Sequence, residues 1–222
     1  MRIELFQDLY ERYSRLALTF PSDRPIAIKG LETRLLDTFG TTGGYGIFDI
    51  YLHRCLLWQR ADKALKHMES FRGGSPVPSW SWMAYVGRIR YMDVPFGQAS
   101  WCDDIMSPFA KVRQLEILNG SRYDGEGKGI DTAGPELEAP VRKIGNTQGA
   151  HLILDDPGQT FTQPLQCVVV GNSKTEPLKH YVLLVQVSST LEEGHVYERV
   201  GVGILDQHQI AFDGSYRKAR IQ

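Results

Sequence analysis

The stretch Val77-Pro78-Ser79-Trp80-Ser81-Trp82-Met83-Ala84 stands where the chain changes its pattern. Read as an extended strand, it puts Trp80 and Trp82 on one face and Ser79 and Ser81 on the other, because alternate strand side chains share a face. Pro76 and Pro78 hold the approach extended and withhold two backbone donors from a neighbouring strand. The tryptophans would also suit a binding platform, but their apolar surroundings favour core packing. The serines then face outward, where turn chemistry explains them better than acyl transfer.

Upstream, apolar residues recur every three to four positions. Ile3, Phe6, Leu9, Tyr10, Tyr13, Leu16 and Ala17 alternate with Glu4, Asp8, Glu11, Arg12 and Arg15, which predicts an amphipathic helix over 3–18 ending before Pro21. Ser22 or Asp23 caps a second helix with Pro25 in its opening turn, a buried stripe of Ile28, Leu31, Leu35 and Phe39, and Gly40 as terminator. After Thr41-Thr42-Gly43-Gly44, residues 47–58 predict a third helix. Residues 62–71 carry a weaker helical pattern, and 72–76 read as a loop.

Downstream the period is two. Strands are expected at 80–91, 111–118, 150–154, 165–171, 181–187, 196–204 and 216–222. Gly120 to Pro140, rich in glycine and acidic residues, reads as an exposed loop, flexible over 119–140. The expected class is α+β: a helical region over 1–72, then an antiparallel β-rich, barrel- or sandwich-like domain over 76–222.

Bulk properties narrow the function classes. The 222 residues carry 25 Lys and Arg against 26 Asp and Glu, a formal charge of -1, which gives no general attraction to nucleic acid or to an anionic membrane. Apolar runs such as Tyr181-Val182-Leu183-Leu184-Val185 are too short to span a bilayer as helices, and the start Met1-Arg2-Ile3-Glu4 does not read as a signal peptide. Cys55, Cys102 and Cys167, odd in number and far apart, suggest reduced thiols in the cytoplasm or nucleus. The expectation is a cytoplasmic protein with no cofactor, no nucleic-acid partner and no membrane partner.

No strong catalytic motif is present. His53 near Cys55, and Cys102 before Asp103-Asp104, lack the ligand sets of a zinc site. Gly43-Gly44-Tyr45-Gly46 lacks the lysine and hydroxyl of a phosphate loop. Gly201-Val202-Gly203 sits inside a strand pattern, where glycine allows a bulge or a close backbone approach. Asp155-Asp156-Pro157-Gly158 reads as a turn. Arg217-Lys218-Ala219-Arg220 reads as a charged edge strand. His151 is a further dispersed histidine. The alternative to a non-catalytic protein is a small hydrolase or nucleotide-binding enzyme, which would gather Asp155, Asp156, His180, His195 and His208 into one site.

Several segments resemble, in order, the region downstream of the effector domain in fungal heterokaryon incompatibility proteins. Tyr13-Ser14-Arg15-Leu16-Ala17-Leu18-Thr19-Phe20-Pro21-Ser22-Asp23-Arg24 is similar to that family's Y-S-x-R-x-L-T-x-P-x-D-R segment. Tyr45-Gly46-Ile47-Phe48 followed by Leu56-Leu57-Trp58 resembles its Y-x-x-G-L-W and L-L-W elements, with Phe48 near the place of the first tryptophan. Pro78-Ser79-Trp80-Ser81-Trp82-Met83-Ala84 resembles P-S-W-S-W-A-S. Tyr197-Glu198-Arg199-Val200-Gly201-Val202-Gly203, with Phe212, resembles the closing Y-x-R-V-G-x-G and F. The matches run from about residue 10 to residue 212, while Gln114 to Asp131 match poorly.

The resemblance implies a structural signature of Arg15, Pro21, Asp23, Arg24, Trp58, Pro78, Trp80, Trp82, Arg199, Gly201 and Gly203. It transfers no catalytic residue, because the family's Y-x-A-L-S-Y-x-W-G and W-I-D-x-x-C-I-N-Q motifs do not occur here. It implies a C-terminal region without the effector domain, a non-catalytic role in non-self recognition and programmed cell death, and a partner in that effector domain, in cis or in trans.

Overall fold

The computed structural model describes residues 2–61, 63–68, 77–109, 135–191, 194–212 and 218–222. The expected strand at 111–118 lies outside them, as do Pro76 and most of the loop at 119–140.

An N-terminal helical region is followed by a mixed β-sheet. Helix α1 (Arg2–Ser14) and helix α2 (Arg24–Phe39) form as their periodicity predicts, although α1 stops short of residue 18. Gly40 ends α2 in the left-handed conformation, φ 62°, and its N–H returns to the carbonyls of Asp37 and Leu36. The third helix is much shorter than expected. Residues 47–58 divide into strand β2 (Ile47–Phe48), a 3-10 turn at Asp49–Tyr51, helix α3 (Leu52–Leu56) and the start of strand β3 (Trp58–Arg60). The cause lies just upstream, where β1 (Gly43–Gly44) pairs with β2 around Tyr45 and Gly46, both at positive φ. That two-residue hairpin turn claims Ile47 and Phe48 for a ladder.

The tryptophan stretch is no strand. Pro78 to Ser81 turn, Ser81 caps a 3-10 helix at Trp82–Ala84, and only then do β5 (Tyr85–Val86) and β6 (Ile89–Tyr91) form. Both tryptophans are buried, as expected, and so are the two serines expected outside: Ser79 is 7% and Ser81 1% exposed. Strand β3 pairs with β6, and β4 (Lys66–His67), which lies in the weak helical pattern, pairs with β5.

The main sheet contains β7 (Ala99–Trp101), β8 (Leu137–Lys143), β9 (His151–Leu154), β10 (Gln166–Ser173), β11 (Lys179–Leu191), β12 (Gly194–Asp206) and β13 (Lys218–Ile221). Its order is β11-β10-β8-β13-β12-β9, with β7 beside β10 and a direct pairing of β11 with β12. Two expectations need correction. Residues 137–140 belong to a strand, since Pro140 sits at the last pair of the β8–β13 ladder, before β8 continues along β10, and its missing donor is tolerated there. The sheet is also not wholly antiparallel, because β12 and β13 run parallel at Val196–Tyr197. Residues 207–217 join those two strands, about the dozen residues a parallel crossover demands.

Apolar side chains cover both faces of the sheet. Leu137, Ala139, Val168, Leu183, Val185, Val202 and Ile221 join Phe6, Ile28, Phe48, Trp58, Trp80 and Trp82 in the large core. Cys167, Val182, Leu184, Val200 and Leu205 form a smaller core on the other face. Among the described residues, no helix is long and apolar enough to cross a membrane.

Candidate functional site

Arg24, Trp58, Trp80, Trp82 and Arg199 of the expected signature fall at two junctions, and the better defined one is centred on Arg199. The β11–β12 register passes from Leu184 opposite Gly201 to Val185 opposite Arg199, so Val200 is an extra residue on β12. Such a bulge re-aims neighbouring side chains. Val200 faces the smaller core, and Arg199 reaches toward the end of α3 and the start of β3.

Its guanidinium makes four hydrogen bonds there. Nε donates to Asp155 Oδ2 at 3.0 Å and Nη2 to Asp155 Oδ1 at 3.2 Å. Nη1 donates to the Leu56 carbonyl at 2.8 Å and Nη2 to the Trp58 carbonyl at 2.5 Å. The Trp58 ring lies against the cation, its centroid 3.2 Å from Cζ. Arg199 is 2% and Asp155 3% exposed. Buried charges survive only when paired and hydrogen-bonded, and both conditions are met.

The backbone around the pair is tied as well. Arg199 N donates to Ser79 Oγ at 2.9 Å, the Ser79 hydroxyl donates to the Gln222 carbonyl, and the Tyr85 hydroxyl reaches the Arg199 carbonyl at 3.4 Å. Asp155 N donates to Val200 O at 2.9 Å, while Leu65 N donates to Asp155 O at 2.9 Å. Trp58 Nε1 donates to Trp80 O at 2.9 Å. One ion pair thus fastens α3, β3, the tryptophan segment, β9 and β12 together.

A cleft of about 550 Å³ opens beside this clamp, walled by Lys66, His67, Tyr85, Asp156, Gln159 and Glu198. Its polar groups are largely engaged. Asp156 Oδ1 accepts from Gly158 N at 2.9 Å, the expected turn, and Glu198 accepts from the Gln186 amide. Burial pushes the Tyr85 hydroxyl pKa far up, with the Asp155 charge adding and Arg199 opposing, so Tyr85 stays protonated.

The second junction surrounds Trp82. Its ring packs against Tyr10 at 5.3 Å and Tyr13 at 6.1 Å, with the buried Arg24 guanidinium 5.8 Å from the ring centroid. Ser81 Oγ donates to Tyr45 O at 2.7 Å and accepts from Met83 N at 3.1 Å. Gly46 N donates to Glu32 Oε1 at 2.6 Å, and burial holds the Glu32 carboxyl pKa above its ordinary range. Arg15 and Pro21 are exposed, Asp23 is half-buried and Pro78 is buried. Gly201 and Gly203 let β9 approach, since a Cβ would lie 2.4 Å from Ile153 O at the first and 2.7 Å from Leu152 Cδ2 at the second.

The residues of the alternative enzymatic reading do not converge. Asp155 bonds to β12 at Val200, His195 lies five residues before that point, and His180 pairs with Leu205 five residues after it. Five strand residues span roughly 17 Å. Exposed His195 meets Thr190 Oγ1 at 3.0 Å; His208 lines a separate hollow with Asp206 and Phe212, and His180 packs against the Phe212 ring. Among the described residues, no group of three or more His, Cys, Asp or Glu side chains is placed to hold a metal. Cys55 and Cys167 are buried, which raises each thiol to about 12 and leaves it protonated and unreactive.

Sequence reasoning missed Ser79, Ser81 and Glu32 as junction residues. A hydroxyl two residues before Met83 was the one local signal, since serine caps short helices through such a bond. In comparisons with protein-family models, curated proteins and solved structures, the chain finds no match.

Proposed function

We propose that this chain is a non-catalytic interaction region of a fungal heterokaryon-incompatibility-type protein, acting in the cytoplasm beside that family's effector domain, in cis or in trans. The observation that carries this reading is how the resembling residues are used. Arg24, Trp58, Trp80, Trp82 and Arg199 are all buried at junctions between the helical region and the sheet, which is the use expected of a scaffold signature. Large apolar side chains are left about half exposed at Leu5, Leu16, Phe20, Ile26 and Ile50, while Phe96 and Leu178 are still more exposed further along the chain. Exposed apolar groups on a well-packed scaffold suit a partner's surface.

We read the sheet's finer architecture as a small closed barrel. The pairings β11-β10-β8-β13-β12 return to β11, and closure of this kind removes exposed strand edges. Slow amide exchange in both β12 and β13 supports closure; rapid exchange along one whole strand would refute it.

The interaction is tested by pull-down of the purified chain with a matching family effector domain. Capture by the wild type and loss of capture by Phe20→Asp with Ile26→Asp supports the reading. Failure of the correctly folded wild type to capture the effector domain sinks it.

A further inference from the structure

Arg24 is the second buried arginine, and unlike Arg199 it has no counter-charge. It opens α2 at 3% exposure, with its guanidinium beside the Trp82 ring and Nη1 donating to Ser14 O at a long 3.4 Å. Among the described residues no carboxylate pairs with it, and neither Nε nor Nη2 has a hydrogen-bond partner. Nε is covered by protein and Nη2 is not, so the cation meets the outside at one nitrogen. Arg199, equally buried, spends the same Nε–Nη2 edge on Asp155.

That difference is costly. An arginine stays charged even where burial lowers its pKa, as it does here. The Trp82 ring and the last carbonyl of α1 supply only partial negative charge. A buried cation without a full partner is strongly destabilising, so an arriving anion would find it unusually receptive. The surroundings add to its sign. Asp23 makes no side-chain cap to α2, which leaves the positive end of that helix uncompensated, and Arg15 is exposed on the same connection. Three half-exposed apolar side chains flank the point. Leu16 N donates to Tyr13 O, and the Tyr13 hydroxyl donates to Arg24 O at 3.3 Å; Phe20 O accepts from Asp23 N; Ile26 lies two residues beyond Arg24.

We propose that Arg24 is the charged centre of a docking surface for a carboxylate carried by an apolar segment of a partner protein. The carboxylate bonds to Nη2, and its apolar neighbours pack on Leu16, Phe20 and Ile26. Charge-assisted bonds of this kind gain strength where the cation is already stripped of water, because its desolvation has been met in folding. This inference rests on the effector-domain reading for the identity of the partner, but not for the chemistry of the site.

The test combines capture of the purified effector domain with titration of a capped Leu-Glu-Leu peptide, using capped Leu-Gln-Leu as the neutral control and the Arg24 Nε–H resonance as the readout. Arg24→Met removes the buried charge and keeps an apolar stem against Trp82, so its melting temperature should equal or exceed that of the wild type. It should weaken capture at least about tenfold. Arg24→Lys, which keeps the charge, should retain part of the binding. The acidic peptide should shift the Arg24 resonance saturably, and the amide control should not. Should the effector domain fail to bind while the acidic peptide still shifts Arg24, the site stands and the partner reading falls. Should Arg24→Met capture the effector domain as well as the wild type, the partner stands and the site falls. A destabilised Arg24→Met, with no response of Arg24 to the acidic peptide, would make the arginine a structural clamp and overturn the proposal. So would Arg24-dependent binding to phosphatidylserine vesicles without capture of the effector domain, which would assign the surface to a lipid headgroup.

Discussion

Arg199 and Asp155, 44 residues apart in the chain, meet through two hydrogen bonds of 3.0 and 3.2 Å in almost complete burial. Their value lies less in mutual attraction than in what else they hold, because the same guanidinium caps the Leu56 and Trp58 carbonyls. Desolvation offsets much of the Coulomb gain of such a pair, but removing one partner leaves the other charged and buried.

Asp155→Asn is therefore expected to destabilise the chain by about 3–5 kcal/mol, and Arg199→Met by a similar amount. The double variant should lose clearly less than the two single losses summed, because neither side chain then remains as an orphaned charge. Urea unfolding of the four proteins checks this. Strictly additive losses would mean the two groups do not act as a pair.

Helix α1 finishes a strand edge. Strand β6 pairs with β3 on one side, while on the other Ile89 N donates to Ser14 Oγ at 3.1 Å and Tyr91 N to Glu11 Oε1 at 2.8 Å. Ser14→Ala and Glu11→Ala should each cost about 1–3 kcal/mol by leaving a buried donor unpaired. Amide exchange should quicken at Ile89 in the first variant and at Tyr91 in the second. Acceleration spread evenly over α1 and β6 would refute this assignment.

How much of this was legible in the sequence depended on how local each cause was. Helix α2 and its Gly40 stop were readable because stripe and terminator lie within one element. Strands β10, β11 and β12 were readable from alternating valines and leucines. The tryptophan segment misled because Pro-Ser-Trp-Ser satisfies a period of two without being a strand, and a serine's partners cannot be seen locally: Ser79 bonds to Arg199 and Gln222, 120 and 143 residues away. The third helix failed because the turn at Tyr45 and Gly46 outweighed helical spacing that was only apparent. Asp155 and Asp156 were recognised as a turn, but nothing nearby announced that Asp155 would face Arg199.

Gly46 and Gly40 offer a paired test of why one left-handed glycine is dispensable and the other is not. Both have positive φ, 82° and 62°. A Cβ at Gly40 meets nothing within 4 Å, whereas at Gly46 it would lie 2.5 Å from Trp82 Nε1. Gly40→Ala should cost about 1–2 kcal/mol, the left-handed penalty alone. Gly46→Ala should cost a further 1–3 kcal/mol or so for overpacking and should shift tryptophan fluorescence as the Trp82 indole gives way. Equal losses at the two sites would show that the indole yields freely.

Glu32 gives the fold a pH signature that can be read by difference. Burial raises its carboxyl pKa in the folded chain, against the lowering effect of the Gly46 N–H and Lys29. The unfolded chain therefore releases this proton at lower pH, near about 4.3, than the folded chain does. As pH rises between those two values the unfolded state binds fewer protons, so this group's contribution to stability falls, and above the folded value the penalty is constant. Glu32→Gln keeps an acceptor for Gly46 N and cannot ionise. It should match the wild type in acid below the ordinary carboxylate range and exceed it in stability at neutral pH. Glu32→Ala, which orphans the Gly46 donor, should instead lose about 1–3 kcal/mol even in acid. Unfolding curves across pH separate the two effects, because subtracting the wild-type curve cancels the titrations the three proteins share. A Gln variant less stable than wild type at neutral pH would mean that the ionised carboxylate holds the hairpin more tightly than its burial costs.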